Sequence, residues 1–212
     1  KVEKSQQQLD DAVALFESQF LSLREYAPTS TIEKKLDDVE NLWLSHRLKI
    51  ISTPSKEHIS ELMDENLRLL SACNEVVKSI ESHANVASGH LVNISGRQRM
   101  LSQKIAKVYT ALYWNINSPV LEQEFKEAIA MFDASLQELE SYNKNTEELT
   151  VALNKVRNQW QFSQTGFNLE NQGRFVPTVI SVTTESILQK MDNITHQYEA
   201  LMQQSQQVAA TN

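Results

Sequence analysis

The chain has 212 residues, 41% of them hydrophobic, with four glycines, four prolines, a single cysteine and a net charge of −7. That length permits one large domain or two small ones. The acidic balance argues against a nucleic-acid partner, and one cysteine excludes an internal disulfide. No window approaches the roughly 18 consecutive apolar residues of a membrane-spanning helix, and no apolar leader opens the sequence at Lys1.

Gln, Glu, Leu and Lys are abundant, and nowhere do valine, isoleucine or aromatic residues alternate with polar ones over a strand length, so the chain reads as all-α. The 3.6-residue periodicity between the prolines predicts helices over 3–25, 30–52, 55–117, 119–142, 146–168 and 177–207. Pro28 closes the first helix, Ser55 is a candidate N-cap after Pro54, and Pro119 sits at a first helical position, where its missing N–H costs nothing. No proline interrupts 55–117, which predicts one helix, or two nearly collinear ones, of about 90 Å. NLENQGRFVP, residues 168–177, is the extended loop candidate, and the terminal QQSQQVAATN reads as a frayed polar tail. That tail lacks the basic or apolar character expected before a membrane span, which favours a free-standing protein over a receptor fragment.

The chain repeats itself. AVALFESQFLSLREY (12–26) matches AIAMFDASLQELESY (128–142), LDDVENLW (36–43) matches LNKVRNQW (153–160), and NEVVKSIE (74–81) matches DNITHQYE (192–199) more weakly. Three blocks in one order at a spacing near 117 residues point to tandem modules over 1–84 and 85–212. The expected architecture is a pair of antiparallel helical bundles joined by a long central helix. Trp43 and Trp160 occupy equivalent places and are expected as core anchors; Cys73 is expected as a small core residue. The second module opens with a helix that has no counterpart in the first, so the apolar flank of 1–84 formed by Phe16, Phe20, Leu36, Val39, Trp43, Leu69 and Val76 is expected to have one side uncovered. An upstream segment, a second chain or a rearranged long helix would each cover it.

The stretch without a counterpart is VNISGRQRMLSQKIAKVYTALYW, residues 92–114. On a helix at about 100° per residue, Leu91, Ile94, Leu101, Ile105, Val108 and Leu112 form a core face. Arg99 falls in a stripe of small residues with Ser95, Gly96, Ser102 and Ala106 and with Gln103, whereas Arg97 points about 160° away, near Lys104 and Lys107. Small residues let another backbone approach, and an arginine partly desolvated by such an approach needs a counter-anion. None lies within one turn, so the partner comes from elsewhere in the bundle or is a bound anion. The alternative is that both arginines are ordinary surface cations of an acidic protein. Gly96 costs roughly 1 kcal/mol of helix stability against alanine, and it needs a packing or ligand-approach reason.

Nothing marks an enzyme. No histidine at 46, 58, 83, 90 or 196 follows a glutamate by three, so the E-x-x-H pattern of di-iron bundles is absent. Asp192 and His196 read as a solvated helix pair rather than a metal site, no nucleophile stands in a recognisable context, and no cofactor is expected. Tyr109, Tyr113 and Trp114 read as core or interface packing.

VNISGRQRMLSQKIAK closely resembles the signature of the PilJ-type domain, the N-terminal sensory domain of type IV pilus methyl-accepting chemotaxis transducers. More distantly, it is similar to the P-box helix of NarX-type nitrate/nitrite sensor kinases, with their G-x-x-R-M run. The dense match covers about 16 residues. The resemblance implies a bacterial, extracytoplasmic (periplasmic) helical bundle that senses rather than catalyses. In nitrate-binding relatives the anion sits between motif helices of a symmetric dimer, held at the glycine and second arginine, which map onto Gly96 and Arg99. Ser95, Arg97 and Gln103 complete the candidate ligand set. The implied partners are a small anion, nitrate or nitrite, and a second copy or a membrane signalling protein. Tandem members repeat the motif, which implies a further copy ahead of Lys1. The alternative function is a structural helical interaction module without a small-molecule ligand.

Overall fold

A computed structural model describes residues 2–53, 55–84, 87–116, 119–167 and 176–211. These residues form helices α1 (Val2–Tyr26), α2 (Ser30–Ile50), α3 (Ile59–Ala84), α4 (Ala87–Tyr113), α5 (Pro119–Ser141), α6 (Glu147–Gln164) and α7 (Pro177–Thr211), with one 3-10 turn at Lys56–His58 and, among the described residues, no strand. The protein is all-α, as the residue pattern requires. The chain divides into two compact units, Lys1–Ala84 and Asn85–Asn212.

Over 55–117, expected as one helix or two nearly collinear ones, the described residues hold the 3-10 turn and then two α-helices. The junction at 85–86 lies outside them, as do the tip of the expected loop at 168–175 and residues 117–118. The end of α4 has a local cause. Asn115 adopts a left-handed backbone, φ 61°. The amide of Ile116 then bonds back to the Ala111 carbonyl at 3.0 Å, and that of Asn115 to Leu112 at 2.9 Å. This pair of bonds satisfies the last carbonyls and stops the helix, so α4 ends at Tyr113. At the other terminus the tail expected to fray continues α7 to Thr211.

Helices α2 and α6 show how closely the units match. Each is capped by a threonine whose hydroxyl accepts an amide bond, Thr29 from Ile32 at 3.3 Å and Thr146 from Leu149 at 3.1 Å. Their buried residues coincide position by position: Ile32, Leu36, Val39, Trp43 and His46 against Leu149, Leu153, Val156, Trp160 and Ser163. Each tryptophan packs on the phenylalanine of the preceding helix with ring centroids 4.1 Å apart, Trp43 on Phe16 and Trp160 on Phe132. Each indole N–H donates to the next residue's carboxylate, Glu17 at 3.3 Å or Asp133 at 3.1 Å.

One feature is inverted. Arg24 of α1 holds Glu40 and Asp37 of α2, whereas at the corresponding places Glu140 of α5 accepts from Arg157 of α6 at 2.7 Å. Exchanging helices between the units would set Arg24 against Arg157 and Glu140 against Glu40.

The units differ in closure. In the second, α4 packs on both α5 and α7, and α6 completes the ring. In the first, α1 packs on α2 and α2 on α3, with, among the described residues, no fourth helix between α1 and α3. Of the seven apolar residues expected to lack cover, Leu36, Val39, Trp43, Leu69 and Val76 are nonetheless buried, because α1, α2 and α3 pack them against one another, and only Phe16 and Phe20 stay partly exposed. Leu139 is accordingly fully buried and its equivalent Leu23 is 38% exposed. Leu139→Ala is expected to cost about 2–5 kcal/mol and Leu23→Ala under about 1 kcal/mol, read from hydrogen exchange of each unit in the whole chain.

Candidate functional site

The site is built on α4. Its core face is Ile94, Leu101, Ile105, Val108 and Leu112, all buried. At the centre of that face lies a residue that periodicity reasoning passed over, the fully buried Gln98. Its Nε2 donates to the Phe132 carbonyl of α5 at 2.8 Å, while its Oε1 is buried without a hydrogen bond. The signal was present: Gln98 falls midway between Leu91 and Ile105 in a series, continued by Leu112, that recurs every seven residues on the same line.

Two ion pairs orient the flanks. Lys104 sits against Glu124 of α5, and Arg99 Nη2 meets Asp192 Oδ1 of α7 at 3.2 Å. The small-residue side of α4, with Ser95 and Ser102 fully buried, is therefore the side toward α7. The helix that approaches the small residues belongs to the same unit. The partner that Arg99 requires is Asp192, a residue expected only to pair with His196. The Arg99 side chain stays 39% exposed and that of Asp192 46%, yet Arg99 Nε is buried and makes no hydrogen bond.

The remaining candidates fall in different places. Ser95 spends its hydroxyl on the Val92 carbonyl at 3.0 Å. Gln103 is exposed, and Gly96 and Arg97 are half-buried, Arg97 toward the α5 flank. A Cβ built on Gly96 meets nothing within 4 Å, so packing within the chain does not require this glycine. By contrast, a Cβ on Gly166 would come within 2.9 Å of Ile180 Cδ1 at the start of α7. Gly96, Arg99 and Gln103 thus share the outer, α7-side part of α4; Ser95 lies beneath it and Arg97 across from it.

Of the aromatic residues after the motif, Tyr109 is buried and its hydroxyl accepts the Val176 amide at 2.8 Å, whereas Tyr113 and Trp114 are half exposed. Trp43 and Trp160 are both buried as expected. His83 and His90 are exposed, and His90 lies 2.9 Å from Glu138. Cys73 is partly buried, which pushes its thiol pKa up. Among the described residues no group of three or more His, Cys, Asp or Glu is arranged to hold a metal, and no helix is long and apolar enough to cross a membrane.

Lys107, half-buried on α4, has its pKa lowered to about 8, first by burial and then by Lys104. Because the folded value lies below the unfolded one, the unfolded chain binds more protons between about pH 8 and 10.5, and stability rises with pH through that window. Lys107→Met is expected to stabilise the second unit near pH 7 by on the order of 2 kcal/mol and to flatten that rise in thermal melts.

The family model described as PilJ, Type IV pili methyl-accepting chemotaxis transducer N-term, matches residues 82–168. No curated protein and no solved structure matches the chain. The matched residues, 82–168, are the stretch that carries α4, α5 and α6, so this part of the chain is similar to the PilJ family.

Proposed function

We propose that the chain is a non-catalytic, extracytoplasmic sensory domain of the chemotaxis type, periplasmic in a bacterium. The outer side of α4 around Gly96 and Arg99 takes a small oxyanion such as nitrate or nitrite. The carrying observation is Gly96, a helix-interior glycine with open space beside it, one residue-row away from an arginine whose Nε is buried without a hydrogen bond. A glycine that no neighbour in its own chain demands leaves room for something from outside, a ligand or the motif helix of a second copy. Planar, weakly hydrated nitrate suits a planar guanidinium, which offers parallel donors.

Asp192 supplies the coupling. Its carboxylate is the same flat shape and charge as the proposed ligand, and it already occupies Arg99. An arriving anion takes its place, releasing α7 from α4. The pair is partly exposed and so worth only about 0–1 kcal/mol, a small barrier to exchange. Shifting α7 against α4 in this way converts binding into a change of helix packing, as a sensor needs. Two copies of Arg99 brought together across a two-fold axis would clamp one anion, and their mutual repulsion without it adds to the coupling.

The same ion pair favours a second reading, in which Arg99 serves only to hold α7 and the chain is a structural interaction module. Calorimetric titration with sodium nitrate, with chloride as control, separates the two. Binding is expected in the wild type, abolished in Arg99→Ala and largely kept in Arg97→Ala; no heat in the wild type leaves the structural module. Gly96→Ala is expected to raise stability by about 0.5–1 kcal/mol while weakening anion binding. A variant that gains stability and binds as before would remove Gly96 from the site.

A further inference from the structure

The two units carry the same face, covered in one and bare in the other. In the second unit α4 lies between α5 and α7 and buries Phe125, Ala128, Phe132, Leu136 and Leu139 of α5. The residues 116 positions earlier are Leu9, Ala12, Phe16, Phe20 and Leu23. Leu9, Phe16 and Phe20 are only partly buried and Ala12 and Leu23 are exposed, although Val13 and Trp43 close by belong to a packed core. The partner helix repeats the contrast: Thr195 of α7 is 3% exposed and its equivalent Val77 of α3 is 42% exposed. The two rows, on α1 and on α3, are those between which a fourth helix sits in the second unit.

We propose that this face is a docking groove for one amphipathic helix with the apolar chemistry of α4, supplied by the polypeptide immediately ahead of α1. The helix presents large aliphatic residues at the spacing of Ile94, Leu101, Ile105 and Val108. The α5 row it must cover spans Phe125 to Leu139, so it needs at least about 21 Å of helix, some four turns. Its place in the chain follows from the second unit. There α4 ends at Tyr113 and α5 begins at Pro119, and Val2, the start of α1, corresponds to the residue just before Pro119. The docking helix therefore ends within a few residues of Val2. Ion pairs do not hold its flanks as they hold α4: Gln8 and Asn74 stand where the second unit has Glu124 and Asp192. Apolar contact with Phe16, Phe20, Leu23 and Val77 carries the docking.

The test adds a second copy of residues 87–118 directly ahead of Lys1 in the full chain and follows backbone hydrogen exchange. Amides over 9–23 are expected to exchange at least about tenfold more slowly than in the unextended chain, approaching those over 125–139, which report that the second unit is folded. The same extension with Leu101→Ser, Ile105→Ser and Val108→Ser in the added copy alone is expected to give no slowing. The proposal is overturned if the extension leaves exchange over 9–23 unchanged. It is equally overturned if those amides are already as slow as 125–139 in the unextended chain. Slowing that appears there only at high concentration, with a dimer in sedimentation, would make a second copy the occupant and overturn it too. Sequencing the gene upstream of the Lys1 codon gives an independent reading. An apolar helical pattern ending next to Val2 supports the proposal, and its absence overturns it.

Discussion

An amphipathic helix is stable where its apolar stripe is covered, and helices packed side by side in an open row leave the stripes of the outer two partly uncovered. In the second unit α4 resolves this. It lies between α5 and α7, places Leu101, Ile105 and Val108 against them, and turns α5–α6–α7 into a closed bundle. Everything proposed for the motif depends on that seat. It decides which side of α4 meets α7, which arginine finds a carboxylate, and which residues remain at the surface. In the first unit the hairpin of α1 and α2 and its packing on α3 are built to the same plan, but among the described residues no helix takes the corresponding seat, and Leu9, Phe16 and Phe20 are only partly covered beside a packed core.

The hairpins show which details such a plan tolerates. Phenylalanine against tryptophan, an acid on the indole N–H and a threonine cap on the second helix are kept in both units. Burial explains this, since the aromatic pair supplies much of the apolar area and an unpaired indole N–H beneath it would be costly. The ion pair at the rim is not kept but reversed. As a partly exposed contact it adds little stability, so its polarity was free to differ. The difference opposes pairing between helices of the two units, which their apolar residues alone would allow.

At the motif the same economy of charge is visible. Arg99 is neither free nor fully spent: one nitrogen meets Asp192, another is buried without a hydrogen bond. Holding a helix and yielding to an anion are compatible roles for such a residue, because a half-exposed pair is weak enough to exchange and still specific in geometry. A side chain at Gly96 beside it would meet nothing among the described residues, although a glycine inside a helix costs stability there.

Periodicity and the prolines were enough to make the chain all-α, to place most helix boundaries within a few residues and to mark the core line of α4, because 3.6-residue spacing is a local property written directly in residue order. They were enough, too, to align Trp43 with Trp160 and to isolate the motif that a PilJ family model also matches. Three things needed the tertiary structure. The early end of α4 depends on a left-handed Asn115, a conformation that residue order allows without requiring. The burial of Gln98 depends on a carbonyl of α5 some thirty residues away in sequence. And the partner of Arg99 is Asp192, almost a hundred residues on. Sequence spacing could say that a desolvated guanidinium needs a counter-charge, but only the packing of α7 on α4 decides which carboxylate comes within reach.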